Sequence, residues 1–297
     1  MEERELPGDK NGQVPDKSTY FTVMSPEKYK INWKAFYDTA DELTAAAREQ
    51  LTHHLHIAYG DDPKQKLDLY LPKGKAFDCS VFLFLHGGGF REGDRAHYGY
   101  VAGPFAEHHI ITIIMSYRLA PKFYYPDQPD DVRRALNWTF HHIQSYGGNP
   151  GRIYIGGHSA GGILSAFVSL KTDWLGRFSL PADLIKGCAP VSAPYDLRTV
   201  DWVSEYLPDP AQRAEASPLL HIENLPPKVI VAVGSVDPPE EKMVEPSKEL
   251  FGKLKEKGCQ VDLVLLGGMN HADTALALGD EQSKVFQAIL KMIKPEK

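Results

Sequence analysis

Along the chain, short continuous apolar runs alternate with stretches in which apolar residues recur every three or four positions. Val81–Leu85, Ile110–Met115 and Ile153–Ile155 are runs of the first kind, and Ile185–Val191, Val229–Val233 and Val261–Leu266 complete about eight strands. That pattern predicts strands buried on both faces of a parallel sheet. Between them, Val132, Leu136, Thr139 and Ile143 form one helical stripe, Met243, Ser247, Leu250 and Leu254 another, and Val285, Ile289 and Ile293 a third. Ahead of them, His54–Ala58 and Lys66–Leu71 alternate apolar and polar positions across Gly60-Asp-Asp-Pro63, which predicts an antiparallel hairpin. The order predicts an α/β fold, a mostly parallel, doubly wound sheet of about eight strands flanked by helices, with an antiparallel edge.

Two segments stand outside this alternation. Trp33, Phe36, Tyr37, Ala40, Leu43, Thr44, Ala47 and Leu51 recur at helical spacing before the first strand. This helix is expected to pack onto the sheet domain, either as a cap over a site or as a stabilising layer. Residues 194–227 are proline-rich and aperiodic, and they follow a strand at its C-terminal end, the edge where open α/β sheets bind ligands. The expected organisation is an N-terminal extension with cap helix over 1–52 and one α/β domain over 53–297, with 194–227 as cap or pocket wall.

Candidate chemistry begins at Arg152–Gly162, where a β-branched run passes through Gly157-His-Ser-Ala-Gly161 into Ile163, Phe167 and Leu170 at helical spacing. A serine flanked by small residues on a strand-to-helix turn is held out at the end of the sheet, beside a helix N-terminus. A hydroxyl at neutral pH is a poor nucleophile and needs a base and a carboxylate that orients it. His271 lies just past the last strand and Asp237 just past the strand Val229–Val233. Ser159, Asp237, His271 is the chain order of an α/β-hydrolase triad. Glu240 and Glu241 compete for the acid role but fall where a helix should start, and Asp273 is close in sequence to His271. His86-Gly-Gly-Gly-Phe90 follows another strand end, and its glycines suit a loop that aims amides at a developing oxyanion. Gly87, Gly88 and Ala160 are the expected donors, while His86 is expected to brace its own loop. Phe90, Tyr195, Trp202 and Tyr206 are candidates to line a substrate pocket. That pocket would suit a small or medium apolar or aromatic molecule.

Composition narrows the partners. A net charge of −6 argues against nucleic acid and against an anionic membrane surface. Three widely spaced cysteines, Cys79, Cys188 and Cys259, read as free thiols of a reducing compartment. The first residues carry no apolar core, so neither a signal peptide nor an anchor is expected, and a cytoplasmic location follows. The expected partner is a small-molecule ester or amide. A homodimer is compatible with the sequence, and the chemistry requires no cofactor and no metal.

His86-Gly-Gly-Gly89, Tyr117-Arg-Leu-Ala-Pro121 with Tyr125-Pro126, and Gly157-His-Ser-Ala-Gly-Gly162 together resemble the hormone-sensitive-lipase-like esterase branch of the α/β-hydrolases, from about residue 53 onward. Ala58-Tyr-Gly60, Leu67-Asp-Leu-Tyr-Leu-Pro72 and Tyr146-Gly-Gly-Asn149 are similar to esterases related to kynurenine formamidase (arylformamidase). The resemblance implies a serine carboxylesterase with Ser159, Asp237 and His271 as triad and Gly87, Gly88 and Ala160 as oxyanion hole. It also implies two alternatives, an arylformamidase and a non-catalytic ligand-binding protein on the same fold. Asp237-Pro-Pro-Glu-Glu241 departs from the Asp-Pro-Leu-Arg-Asp common in lipase-like members, and Ala272 replaces the aromatic residue usual in formamidase-like ones.

Overall fold

Strands β1 (His53–Ala58), β2 (Lys66–Tyr70), β3 (Cys79–Leu85), β4 (Ile110–Met115), β5 (Gly148–His158), β6 (Ile185–Val191), β7 (Lys228–Gly234) and β8 (Gln260–Leu266) form one sheet. Their order is β1-β2-β4-β3-β5-β6-β7-β8. The computed structural model describes residues 31–236 and 243–294. β2 runs antiparallel to β1 and β4, and every pairing from β4 to β8 is parallel. The helices are α1 (Trp33–Gln50), α2 (Ala102–Glu107), α3 (Asp127–His142), α4 (Ala160–Leu170), α5 (Gln212–Glu215), α6 (Val244–Glu256), α7 (His271–Leu276) and α8 (Lys284–Ile293).

The apolar runs are continuous because both faces of the sheet are covered. Val81, Leu83 and Leu85 of β3 pack with Val132 of α3, Phe167 of α4 and Leu250 of α6. The alternate residues Phe82 and Phe84 pack with Phe36 of α1, Phe105 of α2 and Phe286 of α8. Each such side chain, buried completely, contributes about 1.5–3 kcal/mol relative to exposure. Among the described residues no helix is long and apolar enough to cross a membrane. All three cysteines are free; Cys79 and Cys188 are buried and Cys259 is half-buried.

Helix α1 begins at Asn32, whose side chain accepts from the Ala35 amide at 3.1 Å, a capping bond that satisfies one orphan donor of the first turn. It buries Phe36, Ala40, Thr44 and Ala47. Trp33, at the same face one turn earlier, stays 43% exposed, because it overhangs the sheet edge instead of covering it. The 194–227 segment folds into short turns, 3-10 helices at Leu197–Thr199, Asp201–Glu205 and Pro218–Leu220 around α5.

Candidate active site

The turn between β5 and α4 puts Ser159 at φ 56°, ψ −120°, a conformation that costs a non-glycine residue on the order of 1–3 kcal/mol and persists only where the surroundings enforce it. Three contacts enforce it. The Ser159 amide donates to the Val191 carbonyl at 2.9 Å, and the Ile163 amide to the Ser159 carbonyl at 3.0 Å. A Cβ at Gly161 would lie 2.2 Å from the Leu85 carbonyl oxygen, so only glycine lets α4 start this close to β3. The Ser159 hydroxyl makes no capping bond to its own helix and faces a cavity of about 850 Å³. Around it stand Gly88, Gly89, Arg91 and Glu92 from one loop, Trp33 and Tyr37 from α1, Thr199 to Trp202 and Glu205 from the insert, and His158 and His271.

The glycine loop lies against the serine turn. A Cβ at Gly87 would stand 3.2 Å from the Ser159 Cβ, and Gly88 takes φ +118°, with a Cβ there 2.1 Å from the Glu92 carbonyl oxygen. Among the described residues the Gly88 amide has no backbone acceptor, the Gly87 amide faces the hydroxyl of Tyr98, which also lines the cavity, and the Ala160 amide, first in its helix, has no acceptor within α4. His86 braces the loop from behind. Its Nδ1 lies 2.6 Å from the Gly87 carbonyl, which can only accept, so Nδ1 carries the proton. Tyr117 stacks on the imidazole at 4.3 Å and donates to the His86 carbonyl at 2.9 Å, which gives the Tyr117–Pro121 motif a physical task. Burial pushes the His86 pKa down to about 4.

His271, just past β8, is the first residue of the short helix α7. Asn270 and Asp273 form a capping box there, Asp273 accepting from the Asn270 amide at 3.0 Å. That bond occupies one Asp273 oxygen at the helix start, and burial raises the carboxyl pKa. Burial lowers the His271 pKa to about 4, so its imidazole is neutral at neutral pH. Trp33 packs edge-on against it at 6.2 Å. Asp237, Glu240 and Glu241 lie outside the described residues; the acid in the first turn of α6 is Glu245. The approach to Asp237 is described. The Val236 amide donates to the Met269 carbonyl at 3.1 Å and the Ser235 amide to Leu266 at 3.1 Å, so the chains leading to 237 and to 271 run side by side.

Of the four aromatics expected at the pocket, only Trp202 lines the cavity. Phe90 and Tyr206 are buried and stack face to face at 3.8 Å, and Tyr195 is fully enclosed in the core. Ring against ring removes more apolar surface from water than ring against a wet cleft, so these three serve packing. Trp33 and Tyr37, four residues apart on α1, take the place expected for them. The signal was an aromatic pair at the very start of an amphipathic stripe, ahead of the residues that cover the sheet.

Three buried histidines make stability fall with acid. His86, His158 and His271 are held neutral, with pKa values pushed below the ordinary 6.5 by burial, so below pH 6.5 the unfolded chain binds more protons than the folded one. Unfolding free energy should then drop by about 1.4 kcal/mol per pH unit for each as pH falls from 6.5 towards 4. Urea titrations at pH 6 and 5 check this; a slope under one proton contradicts it.

A family model described as alpha/beta hydrolase fold matches residues 82–274. The chain is 29% identical to a kynurenine formamidase of Danio rerio over 84% of its own length and 85% of that protein's. It is 28% identical to the esterase LipC of Mycobacterium tuberculosis, over 86% of this chain and 71% of the relative. Among solved structures, esterase B of Lactobacillus rhamnosis superimposes with a TM-score of 0.70 at 18% identity, covering 88% of this chain and 91% of that one.

Proposed function

The chain belongs to the α/β-hydrolase fold family, and from that premise we propose that it is a serine hydrolase of carboxylic esters with small to medium acyl or aryl groups. The observation that carries this reading is Ser159, held at φ 56° on a strand-to-helix turn at the wall of a cavity it shares with His271 and the glycine loop. In this mechanism His271 takes the Ser159 proton as Oγ attacks the ester carbonyl carbon. The Gly87, Gly88 and Ala160 amides hold the tetrahedral oxyanion, and Asp237 holds the imidazole tautomer. Collapse expels the alcohol, which takes the proton from His271. A water deprotonated by His271 then attacks the acyl-enzyme and releases the acid. α1 and the 194–227 segment act as the cap, closing the cavity with Trp33, Tyr37 and Trp202. Three free thiols fit a reducing compartment, and we place the protein in the cytoplasm.

A second reading, hydrolysis of an N-formyl arylamide, is favoured by the similarity to the Danio rerio kynurenine formamidase. It uses the same steps with an arylamine as leaving group. The cavity's charge argues against anionic substrates of either class. Arg91 is the lysine or arginine among the described lining residues and is ion-paired with Glu205, whereas Glu92 and Asp201 have no cationic partner among the described residues. A substrate carboxylate would face those acids, and in this exposed setting the penalty is about tenfold at low salt.

The test compares kcat/KM for p-nitrophenyl butyrate, mono-p-nitrophenyl succinate and N-formylkynurenine. The butyrate should exceed the succinate by roughly tenfold, with the gap narrowing in high salt. A dominant formamide rate would replace the ester reading with the second one. Inactivity on all three in a folded protein would favour a non-catalytic binder.

A further inference from the structure

We propose that His158, the residue preceding Ser159, is a positioning residue that ties the nucleophile turn to the main chain of His271. The proposal rests on reading Ser159 and His271 as nucleophile and base. In a Gly-x-Ser-x-Gly turn the second position need only fit the strained backbone, yet here it is an imidazole at the cavity wall, only 2% exposed. Its Nε2 lies 2.9 Å from the carbonyl oxygen of His271. That oxygen can only accept, so Nε2 carries the proton and Nδ1 is bare. The same carbonyl accepts from the Thr274 hydroxyl at 2.8 Å. The Thr274 proton is thereby committed, so the Ser192 hydroxyl, 2.9 Å away, donates to the Thr274 oxygen. Ser192 is itself fixed by its amide, which donates to the Ala232 carbonyl at 2.8 Å beyond β6.

The chain of bonds joins three elements through two atoms, the His271 carbonyl oxygen and the Thr274 hydroxyl oxygen. The nucleophile turn and the first turn of α7 meet at the His271 carbonyl, and the end of β6 joins them through the Thr274 hydroxyl. His271 needs such an anchor, because α7 has only six residues and follows Gly267-Gly268, with Gly268 at φ +77°. The Asn270–Asp273 capping box and the pairing of Val236 with Met269 hold this approach, and the bond from His158 adds a direct tie to the nucleophile turn, where a few tenths of an ångström matter to proton transfer. One hydrogen bond from the residue covalently joined to Ser159 sets the Ser159–His271 separation directly. The two rings also touch, with centroids 4.4 Å apart at 45°, so the ring that receives the Ser159 proton rests against one that must stay uncharged. Burial and the neighbouring His271 both hold His158 neutral. A carboxylate at 158 could not do the same task, since it has no proton for the carbonyl. A glutamine could, its amide reaching about as far as Nε2.

The experiment measures kcat and KM for p-nitrophenyl butyrate, with Ser159→Ala as the blank, in His158→Gln, His158→Leu and Thr274→Val. His158→Leu should lose kcat by about 30-fold with KM changed less than twofold, because orientation is lost and the pocket is not. His158→Gln should recover to within about threefold of wild type, and Thr274→Val should lose kcat by about fivefold. Wild-type kcat in His158→Leu, or equal damage in His158→Leu and His158→Gln, overturns the proposal. Should His158→Leu fail to fold, unchanged kcat in Thr274→Val overturns it alone. Esterase activity surviving in Ser159→Ala would instead remove the catalytic reading beneath it, a separate failure from either result at 158.

Discussion

Ser159→Ala is expected to leave a folded protein whose kcat/KM for an aryl ester falls by roughly four to six decades. The folded state should survive because the turn is enforced from outside the side chain. The Val191 carbonyl, the Leu85 carbonyl against Gly161 and the first turn of α4 hold the backbone whichever residue stands at 159. The hydroxyl makes no capping bond whose loss would unravel α4. An alanine at φ 56° pays the same backbone strain as serine, so the melting temperature should move by only a few degrees. What vanishes is the covalent step. The residual rate would come from the oxyanion donors acting on water, which typically retain a few decades over the uncatalysed reaction. A kcat/KM within tenfold of wild type would remove Ser159 from the chemistry.

Asp237→Asn is expected to cost about four decades in kcat, and Glu241→Gln and Asp273→Asn less than tenfold. An amide at 237 would present a proton where the imidazole needs an acceptor, and His271 would be held in the wrong tautomer. The reason to place the acid at 237 is the chain order Ser159, Asp237, His271, with Val236 paired to Met269 two residues before His271. Asp273 sits closer to His271 in sequence, but its carboxylate closes the capping box with Asn270. It carries a burial-raised pKa, the opposite of what a permanently ionised orienting acid needs. A large loss in Asp273→Asn with an active Asp237→Asn would reverse the assignment.

The fold was legible because the sheet is covered on both faces. Ile110–Met115 and Ile185–Val191 are apolar but for Thr112 and Lys186 and coincide with β4 and β6 residue for residue. β5 extends well beyond Ile153–Ile155, back to Gly148 and on to His158, because backbone pairing with β3 and β6 needs no apolar side chain. The serine turn and glycine loop were legible for a related reason. Gly161 and Gly88 stand where a Cβ would collide with a carbonyl, so sterics confine the residue type and leave a mark in the sequence. His271 at a helix start was marked too, by Asn270 and Asp273 three apart, a capping pair that looked like loop residues beside a candidate acid.

Pocket aromatics left no such mark. Phe90, Tyr206 and Trp202 are all large rings near the site, and nothing local distinguishes a ring stacked on a ring from one facing the cavity; only Trp33 and Tyr37 carry a local sign, their place at the start of the α1 stripe. That distinction is made by residues distant in sequence, Phe90 meeting Tyr206 and Trp33 meeting His271. The task of His158 was hidden for the same reason, since its partners Thr274 and the His271 carbonyl lie more than a hundred residues away.

The most direct measurement of the central claim is intact-mass spectrometry after treatment with a p-nitrophenyl alkylphosphonate, followed by peptide mapping. A serine nucleophile served by a neutral base should take up one phosphonyl group per chain on the peptide that contains Ser159, with stoichiometric release of p-nitrophenol and no uptake in Ser159→Ala. Labelling of any other residue in step with loss of activity, or full esterase activity in an unlabelled chain, would contradict it.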